Sequence, residues 1–381
     1  MKKYYVKASQ KAILSKVEST DLYWKEDLGY KKYGNARILP QMDRFLSGGV
    51  SAQDGTYLKD TSFVEDLYDG SYPYDESLVE YRDKDTVFLG CWFPVYGHAI
   101  TDSIKRLWFL FSPEFKELKE SAEKEGKEID LAYVYLGGTL DVAGYMKDIL
   151  RTLGLDINSF TRIIGNVVQY NNVYIPDNSL IEKDRLRYWT SQFKFLVNKI
   201  CDYCRDDSGV YPEKVYLTRT AINDGKDFGE KELEDIFAQR GFTVISPEKL
   251  TFQQQVALMQ HCKTLVSTEG SVSHNSQFCK DGTEVVILRK ADAYNEYTYM
   301  INSLRNLDVT YVEAHHTILS RVPWGGHFFL WRTKYLNRYL GEGNREKSRW
   351  FSLLWYRYLI AYLRFELHPQ VQKIKGLFRK K

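Results

Sequence analysis

The stretch that decides the fold is Lys263–Lys290, which reads KTLVSTEGSVSHNSQFCKDGTEVVILRK. Thr264–Ser267 is a short apolar and β-branched run, and Glu284–Arg289 contains the continuous apolar run Val285–Leu288, typical of a strand buried on both faces. Between them, Glu269–Asn275 is a bend rich in glycine and serine, and His274–Cys279 is long enough for a helical turn or two. The pattern therefore predicts a strand, a sharp loop, a short helix and a second strand.

The loop of this stretch has the features of an anion-binding site. Where a parallel strand ends and a helix begins, free backbone N–H groups and the helix dipole both favour a negative charge. Ser271 and Ser273 add hydroxyl donors at this place. One interpretation is a cradle for a phosphate or a nucleotide-sugar, and the alternative is an ordinary turn between strand and helix that Ser273 caps.

The rest of the second half repeats this alternation of strands and helices. The further strands are predicted at Val215–Thr218, Phe242–Ser246 and Val309–Val312, and the helices at Glu230–Arg240, Phe252–His261 and Glu296–Asn306. Five strands with intervening helices indicate a Rossmann-like sheet, which binds ligands at the carboxyl ends of its strands. Arg219 and Thr268–Ser271 follow two of these ends, so we expect them to face one crevice, where a guanidinium can hold a diphosphate.

The first half is less regular, but it too alternates strands and helices. Thr86–Gly90 is predicted as a buried strand, and Asp83–Asp85 as a polar turn, because a metal-binding Asp-x-Asp motif should follow an apolar strand rather than precede it. Asn178–Cys204 is predicted as one long helix, with Asp206–Gly209 as the boundary between two domains. The opening segment has weak periodicity, so we expect short β-structure or an irregular lead-in there.

The segment after Thr86–Gly90 carries a candidate acid–base pair. From Gly97 the apolar residues follow helical spacing, and they are Ile100, Ile104, Leu107, Trp108 and Phe111. His98 and Asp102 are four residues apart and therefore share one face of the predicted helix. An attacking hydroxyl must lose its proton, and either side chain is suited to accept it. The alternative is that His98 caps the helix locally and Asp102 is a solvated acid.

Length and composition fit a protein with two domains of ordinary size. The chain has 381 residues, of which 44% are hydrophobic and 27% charged, enough for two cores. The five cysteines are too few and too scattered for a disulfide framework. The N-terminus is basic without an apolar core, and no apolar run reaches the length of a membrane span, so we expect a cytoplasmic protein without a signal peptide.

Charge is unevenly distributed along the chain. The net charge is +3, but residues 321–381 hold 14 of the 53 basic residues and three of the 50 acidic ones, so this tail carries +11 and the remainder −8. The tail also has a strongly apolar and aromatic stretch from Trp350 to Phe365, interrupted by arginines. Basic and aromatic residues on an apolar helix suit an anionic membrane surface. The alternative is that the tail packs on the N-terminal domain.

Three blocks between Phe88 and Leu288 carry the motifs of a known family. They are YGHAITDSIKRLW, VYLTRTAINDGKDFGEKEL and EKLTFQQQVALMQHCKTLVSTEGSVSHNSQFCKDGTEVVIL. Together they resemble glycosyltransferase family 61, including its bacterial capsular-polysaccharide members. The matching residues are Gly97, His98, Asp102, Arg106, Leu107, Trp108, Tyr216, Arg219, Lys226, Glu230, Gln255, Gly270 and Asn275. One position departs, because Glu269 stands where many members have a loop histidine, and His274 follows five residues later.

The resemblance implies a GT-B architecture, with two Rossmann-like domains facing a cleft. We expect an acceptor-side α/β domain at residues 1–207, a nucleotide-sugar-binding Rossmann-like domain at 208–320, and a basic aromatic helical tail at 321–381. The resemblance also implies an inverting transfer of a hexosyl or pentosyl group from a nucleotide-sugar. No metal and no cofactor are expected, because arginine, hydroxyls and helix N-termini can neutralise the leaving diphosphate.

The motifs and the resemblance together give the expected site residues. The catalytic candidates are His98, Asp102 and Glu269, the last because it replaces the loop histidine. The donor-binding candidates are Arg219, Lys226, Thr268, Gly270, Ser271, Ser273, His274 and Asn275.

The sequence thus favours a glycosyltransferase of surface polysaccharide synthesis, peripheral at the inner face of the cell membrane. Its expected partners are a nucleotide-sugar, a glycan or lipid-linked acceptor, and an anionic membrane surface reached through the tail. The alternative is a catalytically inactive relative that binds a nucleotide-sugar or a glycan, with Glu269 marking the lost chemistry. A nucleic-acid binder is disfavoured, because the basic residues accompany a strongly apolar helix and the rest of the chain is acidic.

Overall fold

The structure is a computed structural model, and it describes residues 2–42, 46–63, 69–222, 226–318 and 326–364. The strands in this part of the chain are β1 (Lys3–Tyr5), β2 (Tyr30–Gly34), β3 (Arg37–Leu39), β4 (Gly49–Ser51), β5 (Glu80–Trp92), β6 (Ile129–Tyr135), β7 (Thr161–Ile163), β8 (Val168–Pro176), β9 (Leu180–Lys183), β10 (Leu186–Trp189), β11 (Lys214–Leu217), β12 (Asp227–Phe228), β13 (Thr243–Ile245), β14 (Thr264–Thr268), β15 (Glu284–Arg289), β16 (Asp308–Glu313) and β17 (Phe328–Phe329). The α-helices are α1 (Ala8–Glu18), α2 (Tyr96–Ala99), α3 (Pro113–Lys124), α4 (Gly144–Thr152), α5 (Ser191–Tyr203), α6 (Glu230–Ala238), α7 (Phe252–His261), α8 (Glu296–Leu304), α9 (Lys334–Tyr339) and α10 (353–364). The 3₁₀ helices that concern the site are Asp102–Ile104, Leu107–Phe111 and Ser273–Phe278.

These elements form two compact units, each of which combines a β-sheet with helices. The first unit contains the described residues of Met1–Asp21, Ser208–Leu250 and Leu258–Lys381. The second contains those of Leu22–Asp207 and Thr251–Ala257. The main sheet of each unit includes parallel strands, so the fold is mixed α/β.

The first unit is built on a six-stranded parallel sheet in the order β13-β11-β14-β15-β16-β1. All five strands that the sequence predicts in the second half of the chain are present, so this prediction is confirmed. Val286 and Val266 of the central strands pack against Leu233 and Phe237 of α6 in one continuous core. Burial of each such side chain contributes about 1.5–3 kcal/mol to the free energy of folding.

The sixth strand of this sheet comes from the start of the chain. Lys3–Tyr5 pairs in parallel with Thr310–Val312 of β16, and α1 follows it within the same unit. The sequence had placed residues 1–207 together in one domain, whereas residues 2–21 group with the second half. A strand of three residues shows no periodicity, so its position depends on a partner far along the chain.

The second unit is built on a seven-stranded mixed sheet in the order β4-β3-β8-β5-β6-β7, with β2 also paired to β8. Thr86–Trp92 of β5 is buried and lies parallel to both β8 and β6, as expected for a core strand. The predicted polar turn at Asp83–Asp85 is wrong, because these residues continue β5 at its more exposed end. There the pairing with β8 shifts register, which explains the break in the apolar pattern.

The segment predicted as one long helix, Asn178–Cys204, is a β-hairpin followed by a shorter helix. β9 and β10 pair antiparallel and join through Asp184 and Arg185, whose φ values are 52° and 60°. Two residues with positive φ form the tight turn that a hairpin favours. Neither is glycine or asparagine, from which such a turn is usually recognised, so the sequence pattern missed it. Thr190 then caps α5 by accepting the backbone N–H of Phe193 at 3.1 Å.

The last described helix, α10, packs within the first unit through one face. Trp355 and Tyr358 are buried, and their rings lie 4.9 and 5.4 Å from the ring of Phe329. Phe328–Phe329, which the sequence assigned to a separate tail, pairs in parallel with β12. The opposite face of α10 is exposed, and its apolar residues are Leu353, Tyr356, Ile360 and Leu363.

Two further expectations concern cysteines and membrane spans. All five cysteines are buried, and none of them is joined to another in a disulfide. Among the described residues, no helix is both long enough and apolar enough to cross a membrane.

Candidate functional site

The segment after β5 carries His98, but it is not the continuous helix that apolar spacing predicts. α2 ends at Ala99, and Thr101 has φ −125° and ψ −85° before the first 3₁₀ helix begins. The Thr101 hydroxyl lies 2.8 Å from the carbonyl oxygen of Gly97, to which it donates. Such a local bond offers the backbone an alternative to a regular helix, so the helix is interrupted here.

His98 and Asp102 nevertheless lie in direct contact. His98 Nδ1 is 2.7 Å from Asp102 Oδ2. The Asp102 side chain is fully buried, whereas 29% of the His98 side chain is exposed. The rings of Phe63 and Phe93 flank the imidazole, with centroids 5.1 and 5.5 Å away. Because Asp102 engages Nδ1, the ring nitrogen suited to meet an incoming hydroxyl is Nε2.

Arg187 completes the charge arrangement around Asp102. Its Nη1 lies 4.0 Å from Asp102 Oδ1 and 2.9 Å from Glu182 Oε2, and the three side chains are at most 8% exposed. Burial by itself would raise the pKa of Asp102, but the hydrogen bond with His98 and the charge of Arg187 outweigh it and hold that pKa below its ordinary value. Asp102 is therefore ionised and can stabilise a protonated imidazole. The sequence missed Arg187 because β10 was predicted as helix.

A second group of candidates lies at the carboxyl edge of the parallel sheet of the first unit. β11 and β14 are adjacent there, with Leu217 opposite Ser267, so Arg219 and Glu269–Ser271 leave the sheet side by side. The five predicted strands lie in the order β13-β11-β14-β15-β16, so the second strand in the chain lies on one side of the first and the later strands lie on the other. The direction in which strands are added therefore reverses between β11 and β14. Open α/β sheets bind ligands at this kind of switch point.

The loop after β14 is closed by its own polar groups. Gly270 has φ +131°, a conformation that favours glycine. Its N–H donates to Ser273 Oγ at 3.2 Å, and the Ser273 hydroxyl donates to the Gly270 carbonyl at 2.7 Å. The Asn275 amide donates to the carbonyl of Val272 at 3.2 Å. The short helix that follows is of the 3₁₀ type; its N-cap is Val272 and has no side-chain cap, so Ser273 closes the turn onto Gly270 rather than capping the helix.

Glu269 is enclosed in this loop and contacts its neighbours on both carboxylate oxygens. Oε2 lies 3.5 Å from Arg289 Nε, and Oε1 accepts the backbone N–H of Asn295 at 3.1 Å. Neither charged side chain is more than 1% exposed. Burial raises the pKa of Glu269, although the charge of Arg289 opposes that shift. The pair joins the segments that follow β14 and β15, and it does not present the carboxylate to solvent.

The expected donor-binding residues divide by exposure. Those that reach solvent are Arg219, Lys226 and Ser271. Those that are buried are Thr268, Gly270, Ser273, His274 and Asn275. The ring of His274 packs against that of Tyr297 at 5.3 Å. The exposed three can meet a ligand from solution, whereas the buried five shape the loop.

Two acids of α6, in its first half, hold the loop that carries Arg219. Glu230 Oε1 accepts the backbone N–H of Arg219 at 3.2 Å. Glu234 Oε1 accepts the hydroxyls of Thr218 and Thr220. Glu230 is 1% and Glu234 5% exposed, so the carboxylates act on the backbone and hydroxyls around them rather than on solvent. The sequence gave no sign of Glu234, because its role depends on how α6 packs on β11.

Glu230 also belongs to a cluster of buried titratable side chains next to Gly270, together with Asp227 and Lys290. Lys290 Nζ lies 4.0 Å from Asp227 Oδ1 and 4.3 Å from the centre of the Phe328 ring. A Cβ atom on Gly270 would come within 3.4 Å of this Nζ. Burial and the charge of Asp227 raise the pKa of Glu230 to about 8, and burial lowers the pKa of Lys290. Perturbed titrations of this kind are concentrated at functional sites.

Within the described ranges, no group of three or more His, Cys, Asp or Glu side chains is arranged to hold a metal ion. Basic side chains near the switch point are Arg219, which follows β11, and Lys290, which follows β15.

The solved structures that are similar to this chain include two of the protein TibC. One is the dodecameric iron-containing heptosyltransferase TibC in complex with ADP-D-β-D-heptose, with 12% identity over 71% of this chain and 80% of that chain and a TM-score of 0.26. The other is the bacterial iron-containing dodecameric glycosyltransferase TibC from enterotoxigenic E. coli H10407, with 12% identity over 78% of this chain and 84% of that chain and a TM-score of 0.26. At this TM-score neither likeness supports an inference about this chain.

A family model gives a more specific result. The model described as Glycosyltransferase 61 matches residues 96–286, which is half of the chain. No curated protein sequence matches the chain significantly. The matched range contains the His98–Asp102 pair, Arg219 and the loop after β14. The chain belongs to the glycosyltransferase 61 family.

Proposed function

We propose that this glycosyltransferase is an inverting enzyme of the GT-B type. In this proposal it moves a hexosyl or pentosyl group from a nucleotide-sugar to a glycan or lipid-linked glycan in the synthesis of a surface polysaccharide of the capsular kind. The observation that carries the mechanism is the 2.7 Å contact between His98, which is partly exposed, and Asp102, which is buried and ionised. The same pairing of an imidazole with a carboxylate serves as a general base in other enzymes.

His98 is the general base in this reaction. The acceptor hydroxyl gives its proton to His98 Nε2 while its oxygen attacks the anomeric carbon of the donor. The bond from that carbon to the diphosphate oxygen breaks, and its electron pair leaves with the nucleotide. Attack from the side opposite the leaving group inverts the anomeric carbon. Asp102 holds Nδ1–H and stabilises the imidazolium that forms.

The donor diphosphate is assigned to the switch point between β11 and β14. Arg219 can bind it with two parallel hydrogen bonds, and Lys226 and Ser271 add a second charge and a hydroxyl. These groups neutralise the leaving diphosphate, so the proposal requires neither a metal nor a cofactor. Glu269 supports the loop through Arg289 and is not assigned a chemical step.

We also propose that the enzyme works at the inner face of the cell membrane, held there by its C-terminal segment. Trp350, Phe351 and Leu353 are 55%, 93% and 77% exposed, and they continue into the exposed apolar face of α10. Arg357 and Arg364 are exposed on the same helix. Apolar side chains gain by entering the membrane interface, and each nearby basic residue adds about 1 kcal/mol at an anionic surface.

Nucleotide release from a panel of nucleotide-sugars, measured with and without glycan acceptors, tests the proposed reaction. We expect one class of donor to be consumed faster with an acceptor, and the product to show the opposite anomeric configuration by NMR. A protein that binds nucleotide but consumes no donor would be the inactive relative. A product that keeps the donor's configuration would rule out single displacement.

A further inference from the structure

The second unit contains a groove that is lined by none of the residues assigned a role in the proposed transfer. Its cavity volume is about 860 Å³, and it lies along α5, next to Tyr23 and the end of α4. Sites for small ligands usually have about 300–1,000 Å³, so the groove is large enough for several sugar rings. We propose that it binds an acidic glycan, with Trp189, Phe195 and Tyr203 as its apolar surface and Lys194 and Lys199 as its cations.

Aromatic side chains give the groove its apolar surface. The rings of Trp189 and Tyr23 are 4.5 Å apart and inclined at 37°. The backbone of Trp189 is fixed by hydrogen bonds of 3.0 and 2.8 Å to residues 22 and 24, so its indole forms a rigid platform. Phe195 and Tyr203 are 46% and 49% exposed on α5. Flat exposed rings pack well against the C–H faces of pyranose sugars, whose hydroxyls point sideways to polar groups.

Two lysines determine the charge that the groove prefers. Lys194 Nζ lies 5.5 Å from the centre of the Trp189 ring, and Lys199 Nζ lies 5.0 Å from that of Phe111. Asp202 is the acid among the residues that line the groove. Both ammonium groups lie beside aromatic rings of the elements next to α5, where they add positive charge that a sugar carboxylate can approach. The groove therefore favours an acidic sugar over a neutral one.

The small charge of the groove argues against a nucleic acid as its ligand. Binding of a nucleic-acid strand depends on several phosphate contacts, each with its own cation. Two lysines opposed by one aspartate provide too few. A glycan with an occasional carboxylate requires only what the groove has.

The groove is connected to the proposed base through β10. Trp189 comes two residues after Arg187, and residues two apart on a strand point to the same face at a spacing of about 6.6 Å. Arg187 lies 4.0 Å from Asp102. A glycan on Trp189 would therefore be the part of the acceptor beyond the sugar that reacts. This last step depends on the proposed function, whereas glycan binding to the groove does not.

Direct binding measurements on the full chain test the groove without any need for turnover. Titration calorimetry with tetragalacturonate and with maltotetraose compares an acidic and a neutral chain of equal length. We expect saturable binding of tetragalacturonate, weaker binding of maltotetraose, and a loss of about tenfold or more for the acidic chain in the Lys194→Glu, Lys199→Glu double variant. Phe195→Ala with Tyr203→Ala should weaken both. Lys119→Glu, an exposed change on α3 outside the groove, is the control and should bind as the unmodified protein does.

The result can overturn the proposal in three ways. No binding of either oligosaccharide, equal binding of both, or tighter binding of an oligouridylate than of tetragalacturonate would each refute it. The four groove side chains that are changed, Lys194, Phe195, Lys199 and Tyr203, are all at least partly exposed. The melting curves of these variants should therefore stay close to that of the control. If no nucleotide-sugar is consumed but tetragalacturonate binds as expected, the proposed reaction is wrong and the proposal of a glycan-binding groove is supported.

Discussion

Arg219 is the residue through which the donor assignment is most readily tested. Glu230 fixes its backbone, and its side chain emerges at the switch point of the sheet. Arg219→Ala should weaken the binding of a nucleoside diphosphate by roughly 1.5–3 kcal/mol, the usual contribution of a hydrogen bond to a charged group. Titration calorimetry measures the change in Kd. Lys263→Ala removes an exposed cation of the same unit and should leave Kd unchanged. If the two variants have equal Kd values, the assignment of Arg219 to the donor site is refuted.

Glu230 makes the stability of the protein depend on pH. Its pKa is about 8 in the folded chain and ordinarily 4.5, so between these values the folded chain retains a proton that the unfolded chain has released. The free energy of unfolding contributed by this group therefore falls as the pH rises through that range, by an amount on the order of a few kcal/mol at most. Glu230→Gln keeps an acceptor for Arg219 but cannot titrate, so its stability should decline less from pH 5 to pH 9.

Urea denaturation over a series of pH values measures this difference. Glu232→Gln is the matched control, because Glu232 is an exposed acid on the same helix. Its stability should depend on pH as that of the unmodified protein does. Parallel stability curves for Glu230→Gln and the unmodified protein would mean that Glu230 titrates normally.

Among the secondary-structure elements, the sequence predicts those that are long, apolar and buried. β14 was identified from a short apolar and β-branched run and β15 from a continuous apolar one, and the loop between them from its glycine and serine residues. The hairpin of β9 and β10 was missed because positive φ falls on Asp184 and Arg185. The helix after Gly97 was over-extended because apolar spacing cannot show where a threonine hydroxyl interrupts the backbone.

The exposed face of α10 is the element that the membrane proposal depends on. Leu353→Ser with Ile360→Ser should reduce sedimentation with anionic vesicles, because two exposed apolar side chains would no longer enter the interface. Leu140→Ser, which changes a leucine that is 67% exposed in the second unit, is the control. Binding of the unmodified protein should also fall with added salt. Equal binding to neutral and anionic vesicles would refute the electrostatic contribution to membrane binding. No binding to either kind of vesicle would refute the membrane proposal itself.

Over the whole molecule, the first unit is assembled from both ends of the chain. Gln10 of α1 accepts a hydrogen bond from Arg289 Nη1 at 2.5 Å, and Arg289 in turn holds Glu269. Gln10→Ala leaves a buried charged donor without this acceptor and should lower the free energy of unfolding by about 1–3 kcal/mol. Lys11→Ala, exposed on the same helix, should change it by less than about 0.5 kcal/mol. Chemical denaturation measures both, and similar values would show that α1 does not support the loop after β14.

The same long-range contacts explain what sequence patterns could not give. Arg219 and Thr268–Ser271 were expected at one crevice because strand ends follow from the order of apolar runs. Arg187, Glu234 and Lys290 gave no signal, since each acquires its role only when distant segments pack together. Residues 2–21 were assigned by their place in the chain, whereas their partner strand is β16.

Acceptor-dependent turnover at saturating donor tests the central claim most directly, which is that His98, oriented by Asp102, takes the proton of the acceptor hydroxyl. His98→Ala and Asp102→Asn should each lower the rate by about 10²-fold or more, while nucleotide affinity stays unchanged. Glu120→Gln, an exposed acid on α3 of the same unit, should turn over normally. Normal turnover in both His98→Ala and Asp102→Asn would contradict the assignment and place the base elsewhere.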